Sequence, residues 1–531
     1  MALYFQRDAT LRVFPNKADG TFPSASPAFD IPLLEGFSFS QTTNSSEVTL
    51  SEMESTIGNS RRGRKMFNDS LAPVEWSFST YLRPYVAENT ANPGSGSTYS
   101  WGDDKNHLVD EVLWNALLAK GRIAEATDEI DEITITTAGS GYLAPPAITI
   151  TGGSGATATS SINASGAVTD INVTAGGSGF SSAPTVKVGV QFAASTALAL
   201  NDQVFHGNNL YTVTTAGTTH GSTVPTHTSG AVANGSATLT FAGPAAKATA
   251  TFGDTDDAIE SRGASGTALV MTSAKSNKAA LNTMSLEFNF GNSLVYRLNK
   301  AVCNSATVNF DVEGIATVEW SGMAATITPL TAHTTANVSN SGNAINEGGT
   351  SADTENFIRN RLTSMSIVPK AGGSTIGANT ATNTPFSSTG YNLTLTGGSI
   401  SIENNISYLT PEELGVVNKP IEHVTGVRNV GGSFTCYLAD GTNNSKEFFE
   451  DLTTAAGLDV ITHDFTVTFV VGGSGATPRV EFEMPQVHVE VPSHSIDDVI
   501  ALETTFTSLQ SDMEDQVADD FKMSSFGPVL T

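Results

Sequence analysis

The strongest constraint on how this chain folds is a long internal repeat. The alternating run Leu11-Arg12-Val13-Phe14 ends in Pro15-Asn16-Lys17-Ala18; Met365-Ser366-Ile367-Val368 ends in Pro369-Lys370-Ala371 with the same apolar phase. Phe29-Asp30-Ile31-Pro32-Leu33 followed by Gly36-Phe37-Ser38-Phe39-Ser40 has a counterpart in Tyr391-Asn392-Leu393-Thr394-Leu395 followed by Gly398-Ser399-Ile400-Ser401-Ile402. Ser77-Phe78-Ser79-Thr80-Tyr81-Leu82 aligns without a gap on Ser433-Phe434-Thr435-Cys436-Tyr437-Leu438. All of these segments alternate with period two, the signature of half-buried strands.

A helical pattern follows in each series. Leu108, Val109, Val112, Leu113, Ala116 and Leu117 share one face, with Gly121 as a stop signal. Asn444 with Glu447 resembles a capping box, ahead of Phe448, Phe449, Leu452 and Ala456 and a stop at Gly457. Beyond the helices, Met284-Ser285-Leu286-Glu287-Phe288 matches Phe465-Thr466-Val467-Thr468-Phe469, and Ile315–Glu319 matches Ile500–Glu503. Chance similarity does not preserve order over so many segments. The expectation is two diverged copies of one β-rich domain, each a sandwich or half-barrel with one flanking helix, in a mainly β chain.

Roughly 160 residues separate helix from strand in the first copy, far beyond an ordinary loop. A smaller repeat lies within them: Ile135-Thr136-Thr137-Ala138-Gly139-Ser140-Gly141-Tyr142 is echoed by Val173-Thr174-Ala175-Gly176-Gly177-Ser178-Gly179-Phe180. Strands are expected at 147–150, 185–188, 210–213 and 237–241. Charge almost vanishes from Gly139 to Ala242, which suits small exposed β-modules, and an insertion in a loop belongs on a host's surface. The expected division is a first domain at 1–126 and 257–345, inserted modules at 127–256 and a second domain at 346–531.

With 53 acidic against 26 basic residues the net charge is -27. Gripping nucleic acid requires concentrated Lys and Arg, so that class of function is disfavoured. A surface along which a polyanion must move without sticking remains compatible. No apolar run reaches the roughly 18 residues of a membrane span, and the first residues lack the pattern of a signal peptide. Synthesis and assembly in a cytoplasm, with no membrane partner, are therefore expected. Cys303 and Cys436 lie in strand-like stretches without a metal-ligand spacing and read as buried free thiols.

Tests for chemistry return little. Gly152-Gly153-Ser154-Gly155 and Gly472-Gly473-Ser474-Gly475 lack the Lys-Ser or Lys-Thr of a phosphate loop and read as turns. No nucleophile elbow or HExxH spacing occurs; His488 and His494 merely flank Val491-Pro492. The acidic stretches 128–132 and 253–257 lack the EF-hand register. No catalytic, cofactor or metal site is assigned, and the chain is expected not to be an enzyme. The one basic cluster, Arg61, Arg62, Arg64 and Lys65, suits contacts between subunits, ahead of a solvated basic loop or a DNA contact. Its candidate partners are Asp512, Glu514 and Asp515, together with Glu503, Asp519 and Asp520.

Gly36-Phe37-Ser38-Phe39, Arg61–Phe67 and Glu75–Leu82 together resemble the tail tube proteins of marine phages, including cyanophages. Met484–Val489 followed by Asp497–Glu503 resembles the closing pattern of tube domains, and the Gly-Ser-Gly-aromatic segments are similar to add-on modules of virion proteins. The resemblance implies a structural virion protein of the tail that self-assembles into stacked rings around a channel for DNA ejection. Its partners would be further copies of itself, the tape-measure protein, tail-end proteins and DNA in transit through an acidic lumen. Six tube domains form a ring in that family, so two domains per chain predict trimers with pseudo-sixfold symmetry. Three outward lobes per ring would suit a tail without a contractile sheath. The alternatives are a distal-tail, hub or terminator ring, or a glycan-binding adhesin using Tyr142, Phe180, Tyr211 and Phe241, although turn and core positions are commoner for such rings.

Overall fold

The computed structural model describes residues 9–16, 28–48, 65–86, 105–119, 130–175, 184–252, 258–263, 267–273, 281–291, 294–335, 357–369, 390–411, 418–457, 465–473, 478–496, 499–510 and 520–527, with a few isolated residues between them. The fold is mainly β, as expected. The chain divides into two compact units, one made of Met1–Ile123 with Asp256–Thr531 and the other of Ala124–Thr255.

The larger unit is built from two series of strands. The first comprises β1 (Thr10–Pro15), β2 (Phe29–Ile31), β3 (Ser38–Ser40), β4 (Thr43–Val48), β5 (Lys65–Leu71), β6 (Val74–Tyr81), helix α1 (Glu111–Leu118), β7 (Met284–Asn289), β8 (Val295–Asp311), β9 (Thr317–Ala324) and β10 (Thr326–Leu330). The second comprises β11 (Ser364–Pro369), β12 (Tyr391–Leu393), β13 (Leu395–Glu403), β14 (Ser407–Leu409), β15 (Glu422–Val424), β16 (Asn429–Tyr437), α2 (Ser445–Gly457), β17 (Phe465–Val471), β18 (Arg479–Val489), β19 (Ser493–Ile496), β20 (Ile500–Ser508) and β21 (Lys522–Phe526).

The two series pair in the same order, always antiparallel. The first runs β2-β1-β7-β8-β9-β6-β3. The second runs β12-β11-β17-β18-β20-β16-β13. Each carries an extra strand at the matching place, β10 on β8 and β21 on β18. Each also has a hairpin in the matching connection, β4 with β5 and β14 with β15.

One detail of the sequence alignment needs correction. Ser38 lies opposite Ser77 and Ser399 opposite Ser433, so the counterpart of Gly36 is Gly397, not Gly398. The glycine anchor misled by one residue, and a one-residue slip turns every side chain to the other face. The correct register sets Phe39 against Ile400, apolar on apolar.

A single hydrophobic core runs through both series. Trp114 of α1 is central to it, with its ring centroid 5.0 Å from Trp320 of the first series and 6.0 and 6.3 Å from Phe482 and Phe521 of the second. Every residue of α1 is buried, more than the one apolar face that the sequence offers. Its two polar residues are satisfied by the chain returning from the insertion. Asn115 Oδ1 accepts the Ala258 backbone N–H at 2.8 Å, and both Glu111 carboxylate oxygens accept from Arg262. Its last carbonyls are capped from the second series: Leu117 O accepts Asn404 Nδ2 at 2.9 Å and Arg428 Nη2 at 3.2 Å. A cation at that end also complements the helix dipole. Helix α2 begins next to Asn444, but the Glu447 carboxylate accepts from the Asn443 N–H, one residue earlier than a capping box. Cys303 and Cys436 are buried free thiols.

The smaller unit contains its own apolar clusters, one around Tyr142, Val168, Ile171 and Val188 and one around Val204, Tyr211, Val213 and Leu239. Strand Ile148–Thr151 pairs with Thr185–Val188, joining the second strands of the two Gly-Ser-Gly units. Strands Asn209–Thr215 and Ala237–Pro244 lie in a five-stranded sheet. The first Gly-Ser-Gly turn is a close approach: a Cβ on Gly141 would come within 2.5 Å of Ala242 O. The second, 176–180, lies outside the described residues. Strand Ile130–Thr137 pairs with Lys247–Phe252, so the unit closes with its two ends side by side.

The polar face of β2-β1-β7-β8 carries an alternating charge ladder, Asp30, Arg12, Glu287, Arg297. Arg12 grips Asp30 through two bonds of 2.7 and 3.0 Å. Glu287, fully buried, accepts from Arg297 Nε at 2.9 Å and from the Thr334 N–H and Oγ1 at 2.9 and 2.6 Å, with His333 Nδ1 at 3.2 Å. Burial pushes its carboxyl up, but the bonds from His333, Thr334 and Arg297 outweigh that and hold it at about 2. A carboxylate depressed on folding stabilises above its unfolded value near 4.5, and that contribution is lost as pH falls through the folded value. The shift corresponds to roughly 3 kcal/mol at most. The expected outcome is that the midpoint of thermal unfolding falls steeply between about pH 4.5 and 2; in Glu287→Gln the midpoint is lower at neutral pH and this slope is shallower.

Candidate functional site

The notable surface of the larger unit is the polar face of β3, β6, β9, β8, β13, β16, β20 and β19. Residues directly opposite one another across paired strands share a face, so the registers trace rows across it. One row is Ser38, Ser77, Ser321, Ser305, Glu403, Asn429. The next is Ser79, Glu319, Thr307, Ser401, Gly431, Thr507. A third is Tyr81, Thr317, Asn309, Ser399, Ser433, Thr505. The last is Asp311, Gly397, Thr435, Glu503, Ser493.

These rows are short hydroxyls interrupted by exposed carboxylates at Asp311, Glu319, Glu403 and Glu503, and none of their residues is Lys or Arg. Many of the hydroxyls bond along their rows: Ser38 with Ser77 at 2.9 Å, Ser305 with Ser321 at 2.7 Å, Ser399 with Ser433 at 3.3 Å. Asn309 Nδ2 donates to Glu319 Oε1 at 3.0 Å. Such a face offers water many hydrogen-bonding groups and an anion no cationic partner. A phosphate chain meets repulsion from the carboxylates and, in these rows, no cation to hold it.

The opposite face of the same strands is packed. Phe78, Trp320, Ala306, Ile402 and Val430 form one apolar row, and Val308, Ile400, Gly432 and Phe506 part of another. Glycines here make room for rings. A Cβ on Gly322 would lie 2.3 Å from the Trp76 ring, and one on Gly432 2.8 Å from Phe506 and 2.0 Å from Ser399 O. The polar face is therefore backed by tight packing behind it. Gly432→Val is expected to cost on the order of 1–3 kcal/mol or more, read as a lowered denaturation midpoint, whereas Ser401→Ala on the polar face leaves that midpoint within about 0.5 kcal/mol.

Of the residues singled out for contacts between subunits, Arg61, Arg62, Arg64, Asp512, Glu514, Asp515 and Asp519 lie outside the described residues. Lys65 opens β5 opposite Val48. Glu503 is exposed on the polar face. Asp520 is not available to a neighbour: it is buried, and its carboxylate accepts from Ser273 Oγ. The aromatic residues weighed for sugar stacking take the commoner core role where they are described. Tyr142 and Tyr211 are buried in the smaller unit, where the Tyr142 hydroxyl accepts the Ala246 N–H at 3.0 Å and the Tyr211 hydroxyl donates to His227 O at 2.9 Å. Phe241 is half-buried against the second cluster, and Phe180 lies outside the described residues. The acidic stretches 128–129 and 253–257 also lie outside them. The sequence reading missed the polar face as a unit, although its signal was present in Glu75-x-Ser77-x-Ser79 and Ser399-x-Ser401-x-Glu403.

No protein-family model matches the chain. Over 220 residues it is 30% identical to the tail tube protein pb6 of Escherichia phage T5. That stretch covers 40% of this chain and 41% of the relative, so less than half of either protein is matched. Over two fifths of its length the chain is thus a relative of a bacteriophage tail tube protein, in agreement with the resemblance carried by its own residues.

Proposed function

We propose that this chain is the major subunit of a phage tail tube, a structural protein and not an enzyme, composed of two diverged copies of one tube domain. The observation that carries this reading is the identical pairing order of the two strand series, joined edge to edge so that one polar face spans both. Each copy fills one position of a ring, three chains supply six positions, and stacked rings form the tube. The hydroxyl and carboxylate face lines the channel. Its lack of cations in the traced rows lets DNA pass during ejection without specific binding, and the same channel holds the tape-measure protein beforehand. The smaller unit projects outward as one lobe per chain, tail-end proteins close the tube, and assembly takes place in the host cytoplasm.

Negative-stain electron microscopy of the purified full chain, with rotational averaging of end-on views, tests this reading. Hollow tubes with three outer lobes are the expected outcome. Single closed rings would point instead to a hub or terminator, and dispersed monomers would overturn the tube role. A second test concerns the lining. In phage carrying Glu319→Lys with Ser401→Lys, tubes are expected to form while DNA release slows, most at low ionic strength, where charge attraction is least screened.

A further inference from the structure

Within the chain the two series meet where the second half of β8 pairs with β13, from Ser305 opposite Glu403 to Asp311 opposite Gly397. The matching strands on the far sides have no such partner among the described residues. The counterpart of β8's second half is β19: Thr307 and Ser493 both lie opposite a glutamate of the next strand, Glu319 and Glu503, which correspond to each other. The counterpart of β13 is β3, with Ser38 at the place of Ser399. β19 pairs only with β20, and β3 only with β6.

Burial exposes the difference. Phe310 in β8 is 4% exposed because β13 lies beside it, whereas its counterpart Ile496 in β19 is 80% exposed. Val491, just before β19, is 48% exposed, and Val499, just after it, 57%. An edge strand with bare apolar side chains is a template for pairing with another chain. The volumes across the two seams also compensate. Within the chain Phe310 lies over Gly398, where a Cβ would come within 2.7 Å of its ring. On the open edges the smaller Ile496 stands where Phe310 would be, and the larger Phe37 where Gly398 would be.

We infer that β19 of one chain pairs antiparallel with the β3 edge of a second copy, in the register that β8 and β13 use within the chain: Ser493 opposite Ser40, His494 opposite Phe39, Ser495 opposite Ser38 and Ile496 opposite Phe37. This rests on the tube reading and adds the seam that reading leaves open. The polar rows continue across it as serine facing serine, and Ile496 is covered by Phe37, itself half-buried against Phe288 at 5.6 Å between ring centroids. The exposed hairpin of β4 and β5, with Met66 61% exposed, continues from β3 as the hairpin of β14 and β15 continues from β13. That second hairpin packs Ile406 and Tyr408 against Val302 and Leu281 of its own chain; the first makes the corresponding contact with the neighbour.

Cysteine pairing tests the register in the full chain, since the native Cys303 and Cys436 are buried. Opposed residues across a sheet bring their Cβ atoms about 4.5–5.5 Å apart, close to disulfide geometry. After assembly and mild oxidation, Ser38→Cys with Ser495→Cys is expected to give disulfide-linked chains on a non-reducing gel, in a ladder ending at three. Ser38→Cys with Ser493→Cys, two residues out of register, is expected to give several-fold less. Ile496→Asp, at an exposed position, is expected to leave a folded chain that no longer assembles. Assembled tubes whose Ser38→Cys/Ser495→Cys chains stay unlinked, or link better with Ser493→Cys, would overturn the seam and leave the tube reading intact. A wild-type chain that forms no rings would overturn the tube reading itself.

Discussion

The structure depends on one demand: the backbone N–H and C=O groups along a strand must find partners, and an edge strand satisfies only half of them. In this chain β8 meets that demand by its length. Its first half, Val295–Ala301, sits between β7 and β10, and its second half passes between β9 and β13. One 17-residue strand thus belongs to the first series along its whole length and to the seam with the second along its latter part. Trp114, Asn404 and Arg428 then tie α1 to the second series behind the sheet. That shared strand, the contacts of α1 and the pairing of Leu269–Thr272 with β21 together make one continuous unit of the two series.

Polar and apolar faces divide the labour along the same strands. The packed face contains the steric information, in the rings of Trp76 and Phe506 over Gly322 and Gly432. The polar face contains almost none, because serine and threonine demand little of their neighbours. The two series differ in the remaining polar surface as well. The ladder of Asp30, Arg12, Glu287 and Arg297 has Asn392, Ser366, Thr468 and Glu483 at the matching places, where Lys522 bonds Glu483 at 3.2 Å. The two series share a pairing order but not a charge pattern, as expected if hydrogen-bond registry constrains a sheet more than surface electrostatics does.

Much of this was legible in the sequence because period-two alternation is local. Leu11–Phe14, Ser77–Tyr81 and Phe465–Phe469 all form strands where their patterns place them. The 36-residue reach from Ser40 to Trp76, by contrast, had to be bridged by alignment, and there the glycine anchor slipped by one. Burial of Tyr142 and Tyr211 follows the commoner fate of aromatic rings, but their partners, the Ala246 N–H and His227 O, were not legible. The same holds for Asp520, whose acidic neighbours suggested a surface while Ser273, 247 residues away, holds it inside. Partners distant in sequence leave no local mark.

The side-by-side ends of the smaller unit have a consequence for how such chains change over time. Because Ile130–Thr137 and Lys247–Phe252 are paired, the first and last described strands of that unit lie side by side, about 5 Å apart. A unit closed by a pair of its own strands asks of any chain that carries it only that the chain depart and return close together. Loop-closure cost grows only slowly with length, so the number of residues that this strand pair encloses can change at little entropic cost while the pair itself keeps its register.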